Sequence, residues 1–80
     1  MKQEYIKKYN ELVKKQDLLN KRFAELEKLE AELDANKALS DEKRLANLNK
    51  LAVEYEKVAN LMKQVTEEAK ELNEKMKNDN

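Results

Sequence analysis

Glycine and proline are both missing from this chain of 80 residues. Their absence removes the usual turn-makers of β-hairpins and β-sandwiches. It also removes the residues that interrupt helices. Few architectures pass that filter, and long helices head them. Cysteine and histidine are missing too, so Ser–His and Cys–His nucleophile pairs cannot be assembled. Zinc sites of thiolate and imidazole are excluded, as are disulfides and di-iron bundles built on Glu-x-x-His. Without glycine, neither a Walker loop nor a dinucleotide fingerprint can be written. Charge of one sign is not in surplus: 17 Lys and Arg balance 17 Asp and Glu, whereas phosphate-clamping proteins usually carry a basic excess. No apolar run approaches the roughly 20 residues that span a bilayer, and residues 1–10 lack the apolar stretch of a secretory signal. These absences lead us to expect a soluble, cytoplasmic, non-enzymatic protein. No cofactor, metal, small-molecule substrate or transmembrane segment is expected.

What the chain does have is period. Written in sevens from Glu4, it reads EYIKKYN, ELVKKQD, LLNKRFA, ELEKLEA, ELDANKA. One column holds Tyr5, Leu12, Leu19, Leu26 and Leu33; another holds Tyr9, Gln16, Phe23, Glu30 and Lys37. They alternate by four and three residues, as the d and a positions of a coiled coil do. The repeat fades near Asn36 and resumes in a new phase at Leu48. There the a column is Leu48, Tyr55, Met62, Ala69 and Met76, and the d column is Leu51, Val58, Val65 and Leu72. Every one of these positions is apolar, so the second helix is the better defined.

Between the two repeats, Asn36 tolerates the left-handed conformation that closes a helix. Ser40 is a good N-cap, and Asp41 and Glu42 place negative charge at the positive end of the following helix. The sequence therefore predicts an all-α fold in one domain, residues 1–80. Helix 1 spans about 3–36, a turn about 37–40, and helix 2 about 41–77, paired as an antiparallel coiled-coil hairpin. Charge supports the fold-back. Residues 1–22 are net +4, residues 23–35 net −4, residues 36–63 net +2 and residues 64–80 net −2. Folding near residue 40 sets unlike segments side by side, which biases orientation although each exposed pair is weak. Glu4 to Lys8, Glu11 to Lys15, Asp17 to Lys21 and Glu71 to Lys75 have the favourable i,i+4 order. Two registers compete. Partner numbers summing to 81 set Leu33 by Leu48, Phe23 by Val58 and Tyr9 by Leu72; a sum of 74 sets Glu30 by Arg44. The first keeps more layers apolar and is preferred.

Several apolar residues lie beside the seam: Ile6 and Val13 at e, Leu29 at g, Leu45, Ala52 and Ala59 at e of helix 2, and Leu61 at g. Such flanking positions widen a stripe where a helix touches two neighbours. They point to a homodimer forming a four-helix bundle, or to a hairpin docked on a protein partner. The plainer explanation is that they shield the hairpin's edge. Lys7, Lys8, Lys14, Lys15, Lys21 and Arg22 form a basic stripe along one flank of helix 1. It could follow phosphates or an anionic membrane surface. With Tyr5, Tyr9 and Phe23 assigned to the seam, however, no aromatic is left among the charges to stack bases. Pairing with Glu67, Glu68, Glu71 and Glu74 explains the stripe as well. Glu30 at a seam position reads either as a general acid with a raised pKa or as a polar residue that fixes register, as Gln16 also does; the latter is preferred. Tyr55, Met62 and Met76 read as core filler.

In outline the chain resembles the helical hairpins secreted by type VII systems, and in size the needle subunits of type III systems. It lacks the Trp-x-Gly turn of the first and the proline-containing turn of the second, so no functional residue is carried over. The function expected is a structural or adaptor module that binds protein through its apolar helix faces. The alternatives are a small phage- or mobile-element-encoded inhibitor that docks on a host protein, and a weak nucleic-acid binder through the basic stripe.

Overall fold

A computed structural model of the protein describes residues 2–78. It contains two helices, α1 (Gln3–Ala35) and α2 (Asp41–Asn78), folded back on each other in a hairpin of 61 × 15 × 12 Å. The fold is the all-α antiparallel hairpin that the two heptad phases predict. At about 1.5 Å per residue, helices of this length account for the long dimension, and an interaxial distance of about 8–10 Å plus a backbone radius of about 2.3 Å on each side accounts for the width. Among the described residues no helix is long and apolar enough to cross a membrane.

The turn works without glycine by using side chains in its place. Ser40 Oγ accepts the backbone N–H of Lys43 at 3.3 Å, while its carbonyl accepts the N–H of Arg44 at 2.9 Å. That is the N-cap arrangement, which satisfies one of the orphan donors at a helix start. Asp41 and Glu42 occupy the first turn of α2 and Lys75 and Lys77 the last, so both ends suit the helix dipole. Asn36 behaves differently from expectation. Its φ is −85° and its ψ 91°, and no described residue has positive φ. Instead of turning left-handed, Asn36 uses its side chain: Oδ1 accepts the N–H of Ala38 at 3.1 Å. An Asx turn of this kind bends the chain locally and avoids the steric cost a Cβ brings to the left-handed region. Arg44 closes the bend, its Nη2 donating to the Asn36 carbonyl at 2.8 Å.

The seam is held by Leu12, Leu26, Val58, Val65 and Leu72, all buried. Leu12, Val65 and Leu72 form one cluster, with Tyr5, Leu19, Ala69 and Met76 packed against it. The register is legible in Tyr55. Its ring lies 5.3 Å from that of Phe23 in an edge-on arrangement, and its hydroxyl donates to Glu30 Oε2 at 2.9 Å. Partner numbers summing to 81 put Tyr55 level with Leu26, between those two residues. A sum of 74 would carry Glu30 a heptad away, beside Arg44, which instead holds the turn.

Helix 1 is rotated relative to the even a/d seam that its columns imply. Its d column points inward, Tyr5, Leu12, Leu19, Leu26 and Leu33 being buried or half-buried. Its a column stands at the rim: Tyr9 is 50% exposed and Phe23 39%, and Glu30 is exposed. The cause is the mixed character of that column. Gln16 and Glu30 gain from reaching water, and turning them toward the rim carries Tyr9 and Phe23 of the same column with them. In helix 2 both columns are apolar, and Leu48, Leu51, Tyr55, Met62 and Met76 are all half-buried.

Candidate functional site

A two-helix hairpin has one seam and two long flanks. The e positions of both helices border one flank, with the a column of α1 beside them. The g positions border the other. The seven apolar residues proposed from sequence as a partner face are exposed, but they do not lie together. Ile6, Val13, Leu45, Ala52 and Ala59 belong to the e side; Leu29 and Leu61 belong to the g side. Ile6 lines a shallow depression with Gln3, Glu4, Lys7 and Asn10 on the outside of α1. Tyr9 and Phe23, at the rim, add apolar surface to the e side.

The g side carries three grooves in succession. Nearest the turn, Leu26, Leu29 and Leu33 of α1 face Leu51 of α2, with Arg22, Glu32, Asn36, Asn47, Lys50 and Glu54 around them. In the middle, Leu18, Leu19, Leu61 and Val65 form an apolar trough bordered by Lys15, Gln64 and Glu68. At the open end, Tyr5 and Leu72 lie beneath Glu4, Lys8, Glu68, Glu71 and Lys75. Leu18 is 65% exposed and Leu61 47%. Leu18 occupies a c position, where a lone hairpin has only water to face, and the heptad reading passed over it. Val53, at f, is another exposed apolar residue of this kind. A search for apolar residues outside a, d, e and g would have found both.

The basic stripe is exposed along its whole length. Arg22 bridges the helices, 3.6 Å from Glu54 and 3.2 Å from Glu25, and Glu54 also meets Lys57 at 3.3 Å. Lys8 and Lys15 share grooves with Glu68. None of the four i,i+4 pairs expected from sequence closes to an ion pair among the described residues. Tyr9, though exposed, belongs to the a column, which borders e; the stripe occupies f and g. No family model matches the chain, and no curated protein or solved structure matches it.

Gln16 of the a column and Thr66, at an exposed e position, are both anchored locally. Gln16 Nε2 donates to Asn20 Oδ1 at 3.1 Å, and Thr66 Oγ1 donates to the Met62 carbonyl at 3.0 Å. Glu30 is committed to Tyr55, whose hydroxyl is pushed up from 10.0 to about 12. Desolvation is the main cause, followed by the hydrogen bond to Glu30 and the negative charges of Glu30 and Glu27. A phenol held in its neutral form by a neighbouring carboxylate donates a hydrogen bond and withholds its proton. Among the described residues no group of three or more carboxylates is placed to hold a metal ion.

Proposed function

We propose that this chain is a non-enzymatic protein-binding module that works through the apolar flanks of its helical hairpin. The observation that supports this most is the trough of Leu18, Leu19, Leu61 and Val65 on the g side, which places large exposed side chains where the hairpin itself has nothing to cover them. Covering a leucine of that exposure is worth on the order of 1–2 kcal/mol, and a two-helix seam of this size supplies only about 3–5 kcal/mol. A partner seated on the flank would therefore add a large fraction of the stability of the whole fold. Polar residues border the trough on both sides, which is the anatomy of a protein interface.

The test is binding with the face altered and the hairpin kept. Leu18→Lys and Leu61→Lys change exposed residues, so helicity by circular dichroism should stay near that of the parent. Association with a captured protein should be lost. Unchanged association in both variants would remove the g side as the binding surface. Stoichiometric capture of a single enzyme, with loss of its activity, would favour the inhibitor version of the same module.

A further inference from the structure

We propose that the e side is a dimer face, covered by a second copy of this chain laid on it with its long axis reversed. The proposal goes beyond the protein-binding reading above, because it uses the opposite flank and leaves the trough of Leu18 and Leu61 open. Area points to a missing neighbour. The hairpin exposes 6671 Å², whereas a compact monomer of 9.5 kDa exposes about 5,000 Å². The e side is one of its two broad faces, 61 × 15 Å or on the order of 900 Å², and a standard interface covers about 800 Å² of each partner. Ile6, Tyr9, Val13, Phe23 and Leu45 stand exposed on it, and the small side chains of Ala52 and Ala59 let another helix come close.

Charge on this same face selects the occupant. The face consists of the a and e columns of α1 and the e and b columns of α2. Within the helices these columns hold Glu27, Glu30, Asp34, Glu42 and Glu56 in the half nearer the turn, with no basic residue. In the open half they hold Lys63, Lys70 and Lys77, with no acidic residue. Lys37 and Lys2, just outside the helices, bring the two halves to −4 and +4. The b column of α1 points outward and adds Asp17 alone. On the g side, by contrast, both signs occur in each half. An occupant that covers the e side from end to end must be a rod of the same length with the opposite order of charge. A second copy turned end for end is both.

In full overlap the two-fold axis crosses α2 between Ala59 and Asn60, and every contact away from it occurs twice. The b column of α2 then runs antiparallel to itself. Glu42 meets Lys77 of the other copy, Glu56 meets Lys63, and Asn49 meets Lys70. Along α1, Asp34 falls opposite Tyr9 and Glu27 opposite Gln16, so each carboxylate faces a hydrogen-bond donor. Stacked the same way round, Glu27 would instead face Glu56, acid against acid. The charges act only at contact range, since the Debye length is about 8 Å at physiological salt. They choose orientation while apolar cover supplies the attraction.

The chain has no cysteine, so one spin label at Ala38→Cys, in the exposed turn, reports orientation in the otherwise intact protein. Sedimentation equilibrium should give a dimer. Dipolar spectroscopy should place the two labels on the order of 50 Å apart, since the turns lie at opposite ends of stacked helices. Labels within roughly 20 Å, the span of two packed layers, would overturn the reversed orientation. Glu56→Lys should weaken the dimer several-fold, and Glu56→Lys with Lys63→Glu should restore it. Equal weakening by the single and double variants, with helicity retained, would overturn the pairing. Leu61→Lys, on the other flank, should leave the dimer intact; its loss in that variant, with helicity retained, would move the interface to the g side and overturn the proposal. A monomer up to millimolar chain would overturn the second copy as occupant, while leaving the protein-binding reading to the capture experiment.

Discussion

Tyr55 and Arg44 each do what the heptad pattern cannot express. Tyr55 links three side chains across the seam through one edge-on ring contact and one hydrogen bond. Its proton is held to about 12, against 10.0 for an ordinary tyrosine. The folded state thus favours the neutral phenol more than the unfolded chain does. The resulting stability is whole below pH 10 and drains away as the pH rises toward 12. Phenolate absorbance should show a late-titrating component that Tyr55→Phe abolishes. Glu30→Gln should bring it down part of the way, because desolvation remains after the charge is gone; an unmoved midpoint would contradict the role given to Glu30. Arg44 donates to the carbonyl that ends α1. A charged donor to a neutral acceptor is worth about 1.5–3 kcal/mol when buried, and partial exposure brings Arg44→Ala to about 1 kcal/mol by urea denaturation. Ser40→Ala removes the cap at Lys43 and should cost about 1 kcal/mol. Both should lower the denaturation midpoint without changing its slope.

At the scale of the helices, α1 and α2 are not equivalent. The d column of α1 carries the packing, and Leu26, at 1% exposure, is its best-buried member. Leu26→Ala should cost about 3 kcal/mol, most of what a single seam supplies, so a cooperative thermal transition should nearly vanish. Phe23→Ala, at the rim, should cost only about 1 kcal/mol, the worth of its edge contact with Tyr55. Equal costs would mean that α1 presents both columns inward. This difference was only partly legible in the sequence. Two helices, their antiparallel course and the capping serine follow from an absence of glycine and proline and a repeat that changes phase near Asn36. The rotation of α1 does not follow. Periodicity gives the width of an apolar stripe, but where a column mixes Tyr9, Gln16, Phe23 and Glu30, packing and solvation decide its angle. The turn is a similar case: residue preference marked Asn36 as a helix end, while two conformations, left-handed and Asx, were open to it. The apolar flanks were visible as extra positions, but their separation onto two sides requires the register.

For the whole molecule the decisive quantity is the fold-back, because it creates the flanks, the trough of Leu18 and Leu61, and the opposed charge of the two ends. Lys15 and Glu68 lie far apart in sequence yet border one groove. Spin labels at Lys15→Cys and Glu68→Cys, diluted with unlabelled chain so that only pairs within one molecule are counted, measure the fold-back directly. In the hairpin the labels lie within roughly 20 Å, side by side on neighbouring helices. In one unbroken helix the same pair would stand about 80 Å apart at 1.5 Å per residue, and that separation would contradict the hairpin and every face derived from it.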